Sequence, residues 1–132
     1  MTLSSRGAIR YLLDTDAFVR AYQGMLSVGV QQRLSDPDDE RILSAVSLVE
    51  VAVRNSIGKL DMPEAETRQA LRDLRMIVLP LEEQHVLRMF SLPLHHRDPF
   101  DRMILAVALE EKLPIVTGDR IFRLYSGVKV IW

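Results

Sequence analysis

The chain contains no cysteine. That excludes a disulfide framework and any metal site built on thiolates, and it fits a reducing compartment. Lysine is almost absent too. Lys59, Lys112 and Lys129 stand against fourteen arginines, and none of the three follows a late strand, where a phosphatase or receiver domain of the aspartyl type needs its lysine. No glycine-rich turn follows the first apolar run, which disfavours a dinucleotide binder. No apolar run approaches the ~20 residues that span a bilayer. The opening "MTLSSRGAIR" lacks the apolar centre of a secretory signal, so the cytoplasm is the expected location. With a net charge of −1, no overall field favours or opposes nucleic acid. The preference for arginine would suit forked contacts to phosphates, though a base-composition bias accounts for it as well.

What remains is ordinary globular material. A length of 132 residues, 48% apolar and 27% charged, predicts one domain with a genuine core. Residues 1–9 read as an N-terminal extension, expected to be flexible, ahead of a single domain over 10–132. Within it, apolar runs at 9–14, 41–46, 76–80, 113–119 and 128–132 predict strands. Amphipathic or capped segments follow them: "TDAFVRAYQG" stopped by Gly24, a weakly patterned helix at 26–36, 47–59 stopped near Gly58, 63–75 opened by Pro63, 81–90, and 99–112 opened by Pro99. Strands alternating with helices predict an α/β fold with a parallel sheet covered on both faces. Ligands of such sheets sit beyond the carboxyl ends of the strands.

Four acids fall at those ends: Asp14 after the first strand, Glu50 in "SLVE", Asp101 in "DPFD", and Asp119 after "PIVTG". Each has a local explanation. Asp14 or Thr15 can cap a helix. Ser47 and Glu50 form a capping box on paper, with Glu50 and Arg54 an i,i+4 pair. Asp98 is a natural N-cap before Pro99, with Asp101 in the favourable first turn. "GD" at 118–119 suits a turn. Together they are less easily dismissed. Two carboxylates ~5 Å apart repel by roughly 3 kcal/mol at an effective dielectric of ~20. Four in one crevice must either hold protons or share a cation. Oxygen-only donors select a hard ion, Mg²⁺ or Mn²⁺.

The segments "YLLDT", "SAVSLVEVAVRNSIGKL" and "HRDPFDRMILAVALEEKLPIVTGDRIF", in that order, resemble the PIN-domain ribonucleases, and within them the VapC-type toxins of type II toxin–antitoxin pairs. The resemblance runs from about residue 10 to "VKVIW". It implies a three-layer α/β/α sandwich with a parallel sheet. It also implies a metal-dependent ribonuclease, with Asp14, Glu50, Asp101 and Asp119 as catalytic residues and ligands of Mg²⁺ or Mn²⁺. The implied partners are an RNA substrate, a VapB-like antitoxin whose helix docks in a groove, and a second copy in a homodimer. The competing expectation is a PIN-like module that binds RNA or protein without cutting.

Two positions depart from the resemblance. Asp16 stands where relatives often carry histidine, and "TGD" replaces "TAD" or "TND", a change expected to be neutral. Thr15 and Thr117 flank two of the acids and could orient them. Arg97, Arg102 and Arg120 could meet RNA phosphates. His95 and His96 invite a zinc or general-base role that hard-ion chemistry does not need, so both read as loop residues, and His85 as a helix residue.

Overall fold

The computed structural model describes residues 8–132. Residues 1–7, most of the expected extension, lie outside the described residues. Ile9 is already fastened: its N–H donates to Asp39 Oδ1 at 2.9 Å, and its side chain packs on the core.

Five strands form one parallel sheet in the order β3-β2-β1-β4-β5. They are β1 (Arg10–Leu13), β2 (Glu40–Ser44), β3 (Met76–Leu79), β4 (Ile115–Val116) and β5 (Val130–Ile131). The helices are α1 (Thr15–Gln23), α2 (Val28–Arg33), α3 (Ala45–Ser56), α4 (Glu64–Asp73), α5 (Glu83–Arg88) and α6 (Pro99–Glu111). All five expected strands and all six expected helices are present, most of them with trimmed ends. Short 3-10 turns at Met89–Ser91 and Arg120–Leu124 were not expected; the second replaces what reads as plain loop.

The central strands are apolar on both faces because both faces are covered. Leu13, Leu43 and Val116 point to one side, where Phe18, Val51, Met62 and Ala70 complete a core. Leu12, Ile42 and Ile115 point to the other, against Ile104, Leu105, Val107 and Phe122. This is the three-layer α/β/α sandwich expected. Its apolar helix α6 is buried along 104–108, which explains the greasiest run in the sequence. His85 is fully buried and ties α5 to α6: its Nε2 meets Glu111 Oε1 at 2.7 Å, and its Nδ1 accepts from the Glu82 N–H.

Two features of this topology place the site. Strand order reverses between β1 and β4, so a crevice opens at their carboxyl ends. And α3 starts three residues earlier than the sequence implies. Ser44, not Ser47, is the N-cap, with its Oγ accepting from the Val46 N–H at 3.1 Å. The capping box of Ser47 and Glu50 therefore does not form. Register decides between the two serines: β2 keeps step with β1 through Leu13↔Leu43 and ends at Ser44. Glu50 moves from the first to the second turn of α3, and Ser47 instead accepts a hydrogen bond from the Thr15 hydroxyl at 3.0 Å. Freed from capping, Glu50 has no backbone duty.

Candidate active site

Asp14 is the N-cap of α1. Its Oδ1 accepts from the Ala17 N–H at 2.7 Å and its Oδ2 from the Thr117 hydroxyl at 2.5 Å. It is 3% exposed. Burial pushes its carboxyl up to about 6; the bonds from Thr117 and Ala17 pull the other way, and Asp16 and Asp119 add a like-charge push. The capping and site readings of Asp14 are thus both true, since one carboxylate does both.

Glu50 is buried on α3. Its Oε2 is gripped by the Arg54 guanidinium at 2.5 Å, the expected i,i+4 pair. Arg54 also holds Asp16 at 2.8 Å, so the extra charge at position 16 is neutralised within the chain. The second oxygen, Glu50 Oε1, is buried without a hydrogen-bond partner, the sole such side-chain atom among the described residues. A buried unsatisfied acceptor is costly and calls for a partner outside the chain.

Asp101 sits in the first turn of α6, behind the cap that Asp98 makes to the N–H groups of Phe100 and Asp101. Its carboxyl is pushed up to about 7, chiefly by burial and then by Asp98, with Glu50 and Asp14 adding to the repulsion and His96 opposing it. Asp119 follows β4 and caps the 3-10 turn through Ile121. Glu50 and Asp14 are thus near enough for their charges to act on Asp101, and Asp119 near enough to act on Asp14.

His96 joins two of them, which sequence reasoning missed. Its Nε2 lies 2.8 Å from Asp119 Oδ2 and 3.1 Å from Asp101 Oδ2. Its Nδ1 accepts from the Asp98 N–H at 3.2 Å. A backbone N–H can only donate, so the tautomer this geometry suits has its proton on Nε2, facing the carboxylates. Ligand atoms of His96, Asp101 and Asp119 lie within 4.8 Å of one another, but a ring nitrogen bearing a proton is not a metal ligand. His96 is better placed to orient the two acids. It is itself fixed by the Tyr125 hydroxyl, which accepts from the His96 backbone N–H at 2.8 Å, and by a T-shaped contact with Phe122. The only signal in the sequence is a histidine two residues before a helix cap. His95 does read as a loop residue, set edge-on against Tyr125.

Thr117 links strand ends: it donates to Asp14 and accepts from the Asp119 N–H at 3.0 Å. Arg97 and Arg120 are exposed, with no ion pair among the described residues. Arg102, grouped with them on sequence, is different. Its guanidinium donates to the carbonyls of Pro93, His96, Met89 and Leu92 at 3.1–3.4 Å. It stitches the segment carrying His96 and is not available to phosphates. Arg102→Ala should cost about 1.5–3 kcal/mol, the range for hydrogen bonds from a charged group, and lysine should not rescue it. Urea unfolding checks this; unchanged stability would contradict it.

The PIN domain family model matches residues 11–128. The chain belongs to the PIN domain family. Among curated proteins no sequence match was found. Among solved structures, this PIN domain is similar to VapBC2 from Rickettsia felis bound to a promoter DNA fragment, at 16% identity and TM-score 0.69, covering 93% of this chain and 98% of that one. It is similar to DNA-bound VapBC from Salmonella typhimurium, at 18% and 0.69, covering 93% and 97%. VapBC-1 from nontypeable Haemophilus influenzae matches at 18% and 0.66, again over 93% and 97%. At these identities the likeness is one of fold. PIN domains are typically nucleases working with a divalent metal. The donor set here fits such an ion: it is all oxygen, it carries raised carboxyl pKa values, and it includes a buried acceptor without a partner. No helix among the described residues is long and apolar enough to cross a membrane.

Proposed function

We propose that this PIN domain is a Mg²⁺- or Mn²⁺-dependent endoribonuclease, the toxin of a VapBC-type pair. One observation carries the reading most: Glu50 is buried with one carboxylate oxygen unpartnered, in the same crevice as Asp14 and Asp101, whose carboxyls resist ionising. A bound cation would relieve that arrangement at neutral pH, where these carboxyls otherwise tend to keep their protons.

Asp14, Glu50, Asp101 and Asp119 would hold the ion. When bound, a divalent ion acts as a Lewis acid on the phosphate and makes water a nucleophile near pH 7. The chain supplies the rest. Ala17 and Thr117 pin the Asp14 carboxylate so that it enters the site in one orientation. Arg54 takes one oxygen of Glu50 and leaves the other for the site. The Nε2–H of His96 aligns Asp101 with Asp119, the kind of outer support whose loss typically weakens a metal site 10–100-fold.

The partner expectations join the proposal. An apolar groove of about 440 Å³ between α3 and α4, lined by Leu48, Val51, Met62 and Leu71 with Glu64 and Arg68 at its edge, suits an amphipathic antitoxin helix. Leu87, Phe90 and Leu94 are exposed apolar residues close in sequence, a face for a second copy. A chain that sediments only as a monomer would remove the homodimer.

The test of the activity is direct. Purified chain is incubated with mixed single-stranded RNA in Mg²⁺ or Mn²⁺, and again in EDTA. Cleavage should need the ion. Cleavage that persists in EDTA, or none under either condition, contradicts the proposal.

A further inference from the structure

Beside the acids lies a cleft of about 420 Å³ lined by Asp14, Asp16, Arg20, Gly118, Asp119 and Trp132. Two of its six residues, Asp14 and Asp119, belong to the crevice already described. The others have no part in holding a metal. Trp132 follows β5, whose register is set by Val116↔Ile131 and by the Thr117 N–H donating to the Ile131 carbonyl at 3.1 Å. That pairing carries Trp132 past the carboxyl end of the sheet, opposite Gly118. The contact is intimate: a Cβ at position 118 would lie 2.7 Å from Trp132 Cε2. The glycine of "TGD", expected to be neutral, is what leaves room for the indole. Trp132, the one tryptophan of the chain, is 44% exposed and lines the cleft. Arg20, in the last turn of α1, also lines the cleft, and its guanidinium makes no hydrogen bond or ion pair among the described residues.

An aromatic face, an unengaged guanidinium and an acidic floor make a defined chemical combination. The carboxylates repel bare phosphate. The indole accepts any flat π-system, and a nucleobase stacks on such a ring without regard to its sequence. The guanidinium is a forked phosphate donor at the rim. The volume falls in the range of sites that enclose one small ligand. We infer that this cleft is a nucleotide subsite, in which Trp132 stacks the base next to the scissile linkage and Arg20 contacts its phosphate. The inference rests on the ribonuclease reading and deepens it: the subsite fixes where along an RNA strand the acids act.

A single tryptophan allows a test that does not depend on cleavage. Asp101→Asn protein, in Mg²⁺, is titrated with a fluorescein-labelled RNA hexamer of mixed sequence and with the same hexamer made abasic. Anisotropy of the label reports binding, and indole emission reports stacking. The normal hexamer should quench Trp132 saturably, with the same midpoint as the anisotropy, and the abasic one should not. In otherwise unaltered protein, Trp132→Ala should raise KM for RNA roughly tenfold, the worth of one stacked base, with a smaller effect on kcat, and Trp132→Phe should recover most of the loss. Hexamer binding without quenching, or an unchanged KM in Trp132→Ala, overturns the subsite while leaving the ribonuclease reading intact. Failure of the hexamer to bind, joined to failure of the unaltered chain to cut RNA, overturns both.

Discussion

Asp101→Asn should lose RNA cleavage by roughly 10²–10³-fold, the scale on which removal of one preorganised electrostatic group acts, and yet melt a few degrees above the unaltered chain in metal-free buffer at pH 8. The two effects have one cause. Burial and the neighbouring Asp98, Glu50 and Asp14 make a charged Asp101 unwelcome, so that its carboxyl ionises only near pH 7. An amide keeps the volume and offers the Nε2–H of His96 an oxygen, but has no charge to be repelled. Without an ion the substitution relieves strain of an electrostatic kind; with an ion it removes a ligand. Adding Mg²⁺ should therefore raise the melting temperature of the unaltered chain and leave that of Asp101→Asn nearly where it was. A variant that cuts RNA within twofold of the unaltered chain, or that melts lower without metal, would show that Asp101 only helps to begin α6.

The same electrostatics predict an inverted pH dependence of stability. Asp14 is raised to about 6 and Asp101 to about 7 from an ordinary 3.8. Between those limits the folded chain binds more protons than the unfolded one, so these groups lower stability as pH rises. Their penalty is absent below about pH 4 and complete above about pH 7. For buried Asp14 alone a shift of this size is on the order of 3 kcal/mol; Asp101 is partly solvated and adds less than its shift implies. Urea unfolding of the metal-free chain at pH 5.5 and pH 8, beside the double variant Asp14→Asn/Asp101→Asn, isolates the contribution. The unaltered chain should lose stability relative to the variant on going to pH 8, and saturating Mg²⁺ should restore it at pH 8 far more than at pH 5.5. A difference that is flat or opposite in sign would mean that these carboxyls ionise freely in the fold.

How much of this was legible in the sequence depends on the range of the interaction. Strand and helix identity follow from local apolar runs and from stops such as Gly24, which takes the left-handed conformation (φ 70) at the end of α1. The position of the proposed acids relative to the sheet was legible for a topological reason: alternation fixes a parallel sheet, and a parallel sheet fixes which end is the crevice. Ser47 was misjudged because local capping rules see two serines three apart and know nothing of the register that ends β2 at Ser44. Arg102 and His96 were misjudged because their partners, the carbonyls of 89–96 and the carboxylate of Asp119, come together only when the loop before α6 folds over the 3-10 turn at Arg120–Leu124. Gly118 looked interchangeable for the same reason, since nothing near it in the chain announces Trp132.

The central claim is that Asp14, Glu50, Asp101 and Asp119 converge on a shared divalent ion. Diffraction from crystals soaked in Mn²⁺, recorded where manganese scatters anomalously, locates such an ion without reference to activity. An anomalous peak is expected within bonding distance of these carboxylates, with Glu50 Oε1 turned towards it. Strong manganese peaks elsewhere on the molecule, and none among these four side chains, would contradict it.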